Sequence, residues 1–322
     1  MSGEGGGTVL ADRGTLRLGL TIGGLLAALL AGYGLGRVET GPTTPAGGVP
    51  GSVATGETTT GHTHAPGTAA HSHPTSGQDA GTAGADGTGG VAGLSMTADG
   101  FTMVPVESSF RAGIRRDLRF RVVTADGKPV TAFRTVHEKQ MHVIVVRRDL
   151  TGYQHLHPVL AADGTWSVPL TLATPGVWRA YADFTAIGPD GRETATTLGV
   201  DLTVAGDYSL RPLPPVARTA TAGGFTVALQ GTPQVGASAP VLFRVYADGA
   251  PVTGLQPYLG AYGHLVALRD GDLGYLHVHP EPQLTDGAVK FWLTVPGPGR
   301  YRLFLDFQVA GVVHTAEFTM TV

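Results

Sequence analysis

The sequence predicts an all-β protein, with two tandem sandwich units behind an N-terminal transmembrane helix and a polar linker. Three observations carry this. The C-terminal two thirds of the chain is written twice, the signature of a duplicated structural unit. Its apolar runs (LRFRVV, HVIVV, WSVPLTL, VWRAYADF, KFWLTV) have the length and residue types of strands. Ahead of them, residues 18–36 (LGLTIGGLLAALLAGYGLG) form an uncharged stretch of 19 residues.

At ~1.5 Å rise per residue, such a stretch matches a ~30 Å hydrocarbon core. Arg13 and Arg17 precede it, which favours residues 1–17 inside, an anchor at 18–37 and the rest outside. A cleaved signal peptide is the rival reading, but its apolar core is usually shorter. Residues 38–95 are Gly, Thr, Ala, Pro, Ser and His, too poor in large apolar side chains to offset the entropy of ordering. This linker carries His62, His64, His71 and His73 in two His-x-His pairs, a tract that can hold metal weakly.

The repeats occupy 96–206 and 219–322, with a proline-rich joint at 207–218. LRFRVVTADGKPVT (118–131) matches VLFRVYADGAPVT (241–253), and WRAYADF (178–184) matches YRLFLDF (301–307). Asp-Gly pairs at 126–127, 163–164 and 248–249 mark turns. About seven or eight short strands per unit suggest an immunoglobulin-like or cupredoxin-like sandwich.

Composition narrows the function. The net charge of −3 gives no basic surface for nucleic acid. With no cysteine, disulfides, zinc–thiolate sites, iron–sulfur clusters and blue-copper centres are excluded. There is no GxSxG, P-loop or dinucleotide fingerprint. His137-Glu138 is followed by His142 one residue too late for HExxH. No enzymatic activity is expected.

The histidines point to metal. HVIVVRRDLTGYQHLHP (142–158) aligns without gaps to HLVALRDGDLGYLHVHP (264–280). His142, His155 and His157 fall on His264, His277 and His279, while apolar neighbours have drifted, Val145 to Ala267 for example. On a strand, residues two apart share a face at ~7 Å. A hairpin whose paired residues sum to about 301 sets His142 diagonal to His157 on that face. One His₃ site per unit follows. Glu138 or His137 could add a fourth ligand in the first unit, and His314 in the second. Asp183 and Asp306 could ligate or orient a ligand's far nitrogen. Nitrogen and carboxylate ligands suit a divalent ion, copper ahead of zinc or nickel. The competing reading makes these histidines hydrogen-bonded structural elements of a cell-surface interaction or adhesion module.

HEKQMHVIVVRRDLTGYQHLHP and YLGAYGHLVALRDGDLGYLHVHP resemble an exported bacterial β-sandwich family described as YtkA-like or heavy-metal-binding. Its pattern is Gly-x-x-x-His followed by Tyr/Phe-x-His-x-His-Pro. The resemblance covers both repeats and implies copper handling outside the cytoplasm, by buffering, delivery or resistance. Partners would be metal-transport or copper-enzyme proteins. It carries over onto His142, His155, His157, His264, His277 and His279. The first unit departs from it in lacking the glycine of the lead-in, Gly260 in the second.

Overall fold

The computed structural model describes residues 91–322, His277 excepted. The chain divides after Gln78, and all the described residues belong to the second of its two units. The anchor at 18–37 and the four linker histidines lie outside them. Among the described residues no helix is long and apolar enough to cross a membrane.

The first repeat contains β1 (Thr97–Ala98), β2 (Phe101–Pro105), β3 (Ser109–Phe110), β4 (Arg115–Thr124) and β5 (Met141–Arg147). It continues with β6 (Gln154–Leu156), β7 (Val159–Leu160), β8 (Thr165–Thr171), β9 (Gly176–Ile187) and β10 (Glu193–Val204). One sheet runs β1-β2-β4-β8-β7 and the other β3-β10-β9-β5-β6. Only β3 pairs in parallel, against β10. Strands β2, β4, β8 and β7 hold the A, B, E and D places of an immunoglobulin-like sandwich, and β5, β9 and β10 those of C, F and G.

The second repeat contains β11 (Thr219–Ala222), β12 (Phe225–Gln230), β13 (Ser238–Ala247), β14 (Ala250–Pro251), β15 (Leu255–Gln256) and β16 (His264–Arg269). It ends with β17 (Tyr275–Leu276), β18 (Val278–Pro280), β19 (Val289–Thr294), β20 (Arg300–Val309) and β21 (Val312–Thr321). Its sheets run β11-β12-β13-β19-β18, with β14 on β13, and β15-β20-β16-β17, with β21 on β20. The fold is the all-β tandem sandwich that the sequence predicts.

Each sandwich closes its own core. Met103, Phe120, Met141 and Trp166 fill the first, and Phe243, Phe291, Leu303 and Phe318 the second. Met103 and Met141 are therefore packing residues. Strand β5 is buried at all seven positions. Met141, Val143 and Val145 point into the first core, whereas Ile144 and Val146 point the other way. There they meet Val266 and Leu268 of β16, with Leu150, Leu273, Tyr181, Tyr275 and Phe304. A strand covered on both faces reads as a continuous apolar run, which accounts for HVIVV. The partners in this seam are equivalent positions of the two repeats. Tyr153 stacks on Phe304 at 4.1 Å and 4°, and its counterpart Tyr275 lies 5.5 Å from Tyr181, the counterpart of Phe304.

The hairpin register differs from the expected one. Val143 opposes Leu156, so paired numbers sum to 299, and the ladder extended by one step sets His142 opposite His157. A shift of two residues keeps every side chain on its face, so the histidines still converge. Residues 91–95, expected as linker, form a strap instead. Ala92 exchanges two backbone hydrogen bonds with Tyr275 of the second repeat (2.8 and 3.0 Å). The Gly93 amide donates to the Thr197 carbonyl of the first, and Arg179 Nη2 donates to the Gly93 carbonyl at 2.6 Å. Gly199 makes room for this strap, because a Cβ there would sit 2.0 Å from the Gly93 oxygen.

The seam is a stability element. Phe304→Ala removes the stacking partner of Tyr153 and leaves a cavity, so it should lower unfolding free energy by ~3–5 kcal/mol. Denaturant titration of the full chain measures this. A loss under ~1 kcal/mol would mean that the repeats fold without the seam.

Candidate metal centre

The seam has a polar end. His142, second in β5, and His264, first in β16, lie two residues before Ile144 and Val266 on the same face. Their rings stack at 5.2 Å and 15°. His155, opposite Ile144 on β6, brings its ring 4.5 Å from His264 and 5.3 Å from His142. His157 lies 4.8 Å from His155 and 5.1 Å from His142. His137 lies 5.8 Å from His264 and 6.1 Å from His142. It sits with Glu138 at the centre of a tight turn closed by Val136 and Lys139. Both have positive φ, +48° and +62°, as that turn requires.

Three sets of side chains offer ligand atoms within 4.8 Å of one another: His137, His142 and His264; His142, His155 and His157; His155, His264 and Asp306. The triplet expected in the first repeat is thus assembled. The second repeat contributes differently. His264 and Asp306 join the first repeat's histidines, so the described ligands form one centre shared between repeats. His277 lies outside the described residues. His279 is exposed on β18, opposite Trp292 in the other sheet. The chain leaves β16 after Leu276 and reaches β19 by Val278, whereas the first repeat keeps its ladder to Leu156. That earlier crossing carries His279 away. His314 packs between Phe225 and Phe307 inside the second repeat, 5.0 and 5.5 Å from their rings. Glu138 is exposed and belongs to none of the three sets.

Asp306 works across the seam. Its Oδ2 accepts from His155 Nδ1 at 2.8 Å and from the Tyr153 hydroxyl at 3.4 Å, while its Oδ1 accepts from Thr315 at 2.6 Å. Sequence reasoning offered a carboxylate orienting a histidine, but not one from the opposite repeat. Asp183, its counterpart, accepts from Thr197 at 2.9 Å and lines the cavity beside His142.

With neutral rings, the hydrogen bonds around His142 and His155 leave one contact without a proton. Asp306 accepts from His155 Nδ1, and the Val136 carbonyl accepts from His142 Nε2 at 3.2 Å. Each neutral imidazole carries one N–H, which those contacts use. With both rings neutral, His142 Nδ1 and His155 Nε2 face each other at 3.0 Å with a lone pair on each, a contact that an added proton or a cation would satisfy. Burial, then the neighbouring His155, pushes His142 down to about 3, so it resists the extra proton that would relieve this contact. Burial and the other histidines hold His264 well below its ordinary value, and burial with His155 lowers His157 to about 4. His264 Nδ1 and His157 Nε2 are buried with no hydrogen-bond partner. Such groups cost about 1–3 kcal/mol each unless something satisfies them. A cation between the rings would do so. Nitrogens at ~2.0–2.1 Å from a tetrahedral ion are about 3.3 Å apart, close to the spacing present.

Fold and site together define a class: a tandem immunoglobulin-like protein whose repeats pack face to face around a histidine cluster. The chain belongs to the family described as Domain of unknown function (DUF8832), whose profile matches residues 96–204 and 220–322. No curated protein matches the sequence. Among solved structures, the chain is similar to FdeC, an Escherichia coli adhesin, at 17% identity and TM-score 0.25, covering 70% of this chain and 65% of that one. Invasin, a bacterial integrin-binding protein, matches at 15% and 0.22, over 72% and 41%. A putative membrane anchored protein from Corynebacterium diphtheriae matches at 11% and 0.20, over 70% and 59%. The match thus spans less than two thirds of each of these chains. Function is argued from the site.

The depressed histidines link stability to pH. Unfolded histidines titrate near ~6.5, while His142 and His157 stay neutral in the fold down to about 3 and 4. Below pH ~6.5 the unfolded chain therefore binds more protons, and stability falls from there toward pH 4. Denaturation of metal-free protein at pH 7, 6, 5 and 4 should show this slope, and His142→Gln with His264→Gln should flatten it. An unchanged slope in the double variant would rule out these rings as its source.

Proposed function

We propose that the chain is an extracytoplasmic tandem immunoglobulin-like module that binds one divalent transition-metal ion between its repeats. Cu(II) is favoured over Zn(II) and Ni(II). The unpartnered buried nitrogens of His157 and His264 carry this reading, supported by the 3.0 Å approach of His142 Nδ1 to His155 Nε2. The ligand set is imidazole with one carboxylate. That suits Cu(II), Zn(II) and Ni(II), and among divalent first-row ions Cu(II) generally binds most tightly. Asp306 would also hold His155, through its Nδ1, in the tautomer whose Nε2 faces the ion. The protein would act as a binder in metal buffering, delivery or resistance, held at the membrane by the span at 18–37, rather than as an enzyme. Metal-transport or copper-enzyme proteins would be its partners.

A cell-surface interaction or adhesion module is the second reading. Adhesins stand among the similar structures, and here the histidines would be structural. Metal titration separates the two readings. The full chain with His62→Ala, His64→Ala, His71→Ala and His73→Ala, which silences the linker, should bind one equivalent of Cu(II). His155→Ala should weaken binding at least 100-fold in a protein that still folds. Bound ion should also raise stability by ~4 kcal/mol at 1,000 times its Kd. Absence of saturable binding would leave the interaction module.

A further inference from the structure

Within that metal-binding reading, the structure assigns separate roles to the ligands: the ion enters at His137 and comes to rest beside Asp306. The six side chains form a triangle with an outer ligand on each edge. His142, His155 and His264 are the corners, with ring centres 4.5 to 5.3 Å apart. His137 completes the edge between His142 and His264, His157 that between His142 and His155, and Asp306 that between His155 and His264.

The edges differ in access. A cavity of about 170 Å³ has His137, His142 and His264 on its wall, and neither His155, His157 nor Asp306. At ~30 Å³ per water, that volume admits an ion with several of its waters. The edges also differ in charge. Asp306 is the only carboxylate in the three sets, and its side chain is 3% exposed, whereas Asp183, on the cavity wall, belongs to none of the sets and accepts from Thr197. A buried negative charge attracts a divalent cation far more than a neutral imidazole does, because little solvent screens it. An ion that arrives on the His137 edge thus moves downhill by exchanging His137 and His142 for Asp306 and His155 while keeping His264. Sharing a corner lets the ion pass without being released.

Position 137 is also where the repeats part. The second repeat has Leu259 and Gly260 in the matching turn, with φ of +58° and +79°, and Leu259 is buried. The first repeat has His137 and Glu138 instead, with the same left-handed backbone. A β-carbon at such φ costs of order 1 kcal/mol, which the glycine at Gly260 avoids. The turn itself does not call for histidine, since leucine serves at the same place.

Stopped-flow mixing with Cu(II), read by quenching of intrinsic fluorescence, tests the division of roles. Release is read by competition with excess chelator. The full chain carries the four linker substitutions throughout. His137→Leu copies the second repeat's own residue, and His137→Gln serves as a polar control. Both should slow association and release together by at least tenfold, with Kd within threefold of the parent. Asp306→Asn should weaken Kd at least 100-fold, mainly by faster release. If His137→Leu weakens Kd as much as Asp306→Asn does, His137 is a resting ligand and the proposal fails. Parent-like rates in both His137 variants would also overturn it, because entry would then lie elsewhere. A parent that binds no Cu(II) removes the metal-binding reading itself, a result distinct from either.

Discussion

Two strands covered on both faces, β5 and β16, organise this molecule. Each lends one face to its own sandwich core and the other to the seam, so the repeats are held together by the elements that build them. The contact is isologous, with equivalent positions meeting equivalent positions, as in a symmetric dimer. Ile144 and Val146 meet Val266 and Leu268, and the Tyr153–Phe304 stack is echoed by Tyr275 and Tyr181. Such a contact has a consequence for chemistry. A residue near the two-fold axis is brought beside its own copy. His142 and His264 lie at the same end of β5 and β16 with their rings 5.2 Å apart, so a histidine written once per repeat becomes a pair.

The apolar seam also sets the electrostatics of its polar end. Removal of water from around His142, His157 and His264 disfavours the charged ring and keeps the nitrogens available as ligands. Repulsion between neighbours adds to this, since a proton on one ring raises the cost of a proton on the next. Asp306 acts in the opposite direction, with His155 and Tyr153 as its partners. A structural histidine network would be expected to match donors to acceptors. This one leaves two buried ring nitrogens without partners.

Much of the fold was legible in the sequence, because a duplication can be read by self-alignment and strand runs by residue type. The convergence of His142, His155 and His157 followed from period-two geometry, and it survived a register shift that preserved the face. The seam was not read, although HVIVV carried its signal: five residues without polar alternation mark a strand with two buried faces. Contacts between repeats leave no spacing rule, so Asp306 could be named as a ligand or as a carboxylate orienting one, but not matched to His155. His314 showed another limit. A lone histidine beside phenylalanines packs as an aromatic ring, and the sequence cannot tell this from ligation.

The duplication also accounts for the unequal fates of matching histidines. Around a two-fold axis, outer ligands come in pairs, but one ion placed off the axis can use only one of each pair. His157 stays with the centre because β6 remains paired with β5 through Leu156. Its counterpart His279 is taken up by the opposite sheet, where β18 pairs with β19. The turns diverged in the same direction, with His137 at the cluster and Leu259 buried in its stead on the other side. Of the two aspartates, Asp306 is the one bonded to a histidine of the first repeat. Each asymmetry adds ligands on the same side, that of the first repeat's hairpin. Symmetry of the seam created a centre on the axis, and departures from symmetry gave it one preferred side.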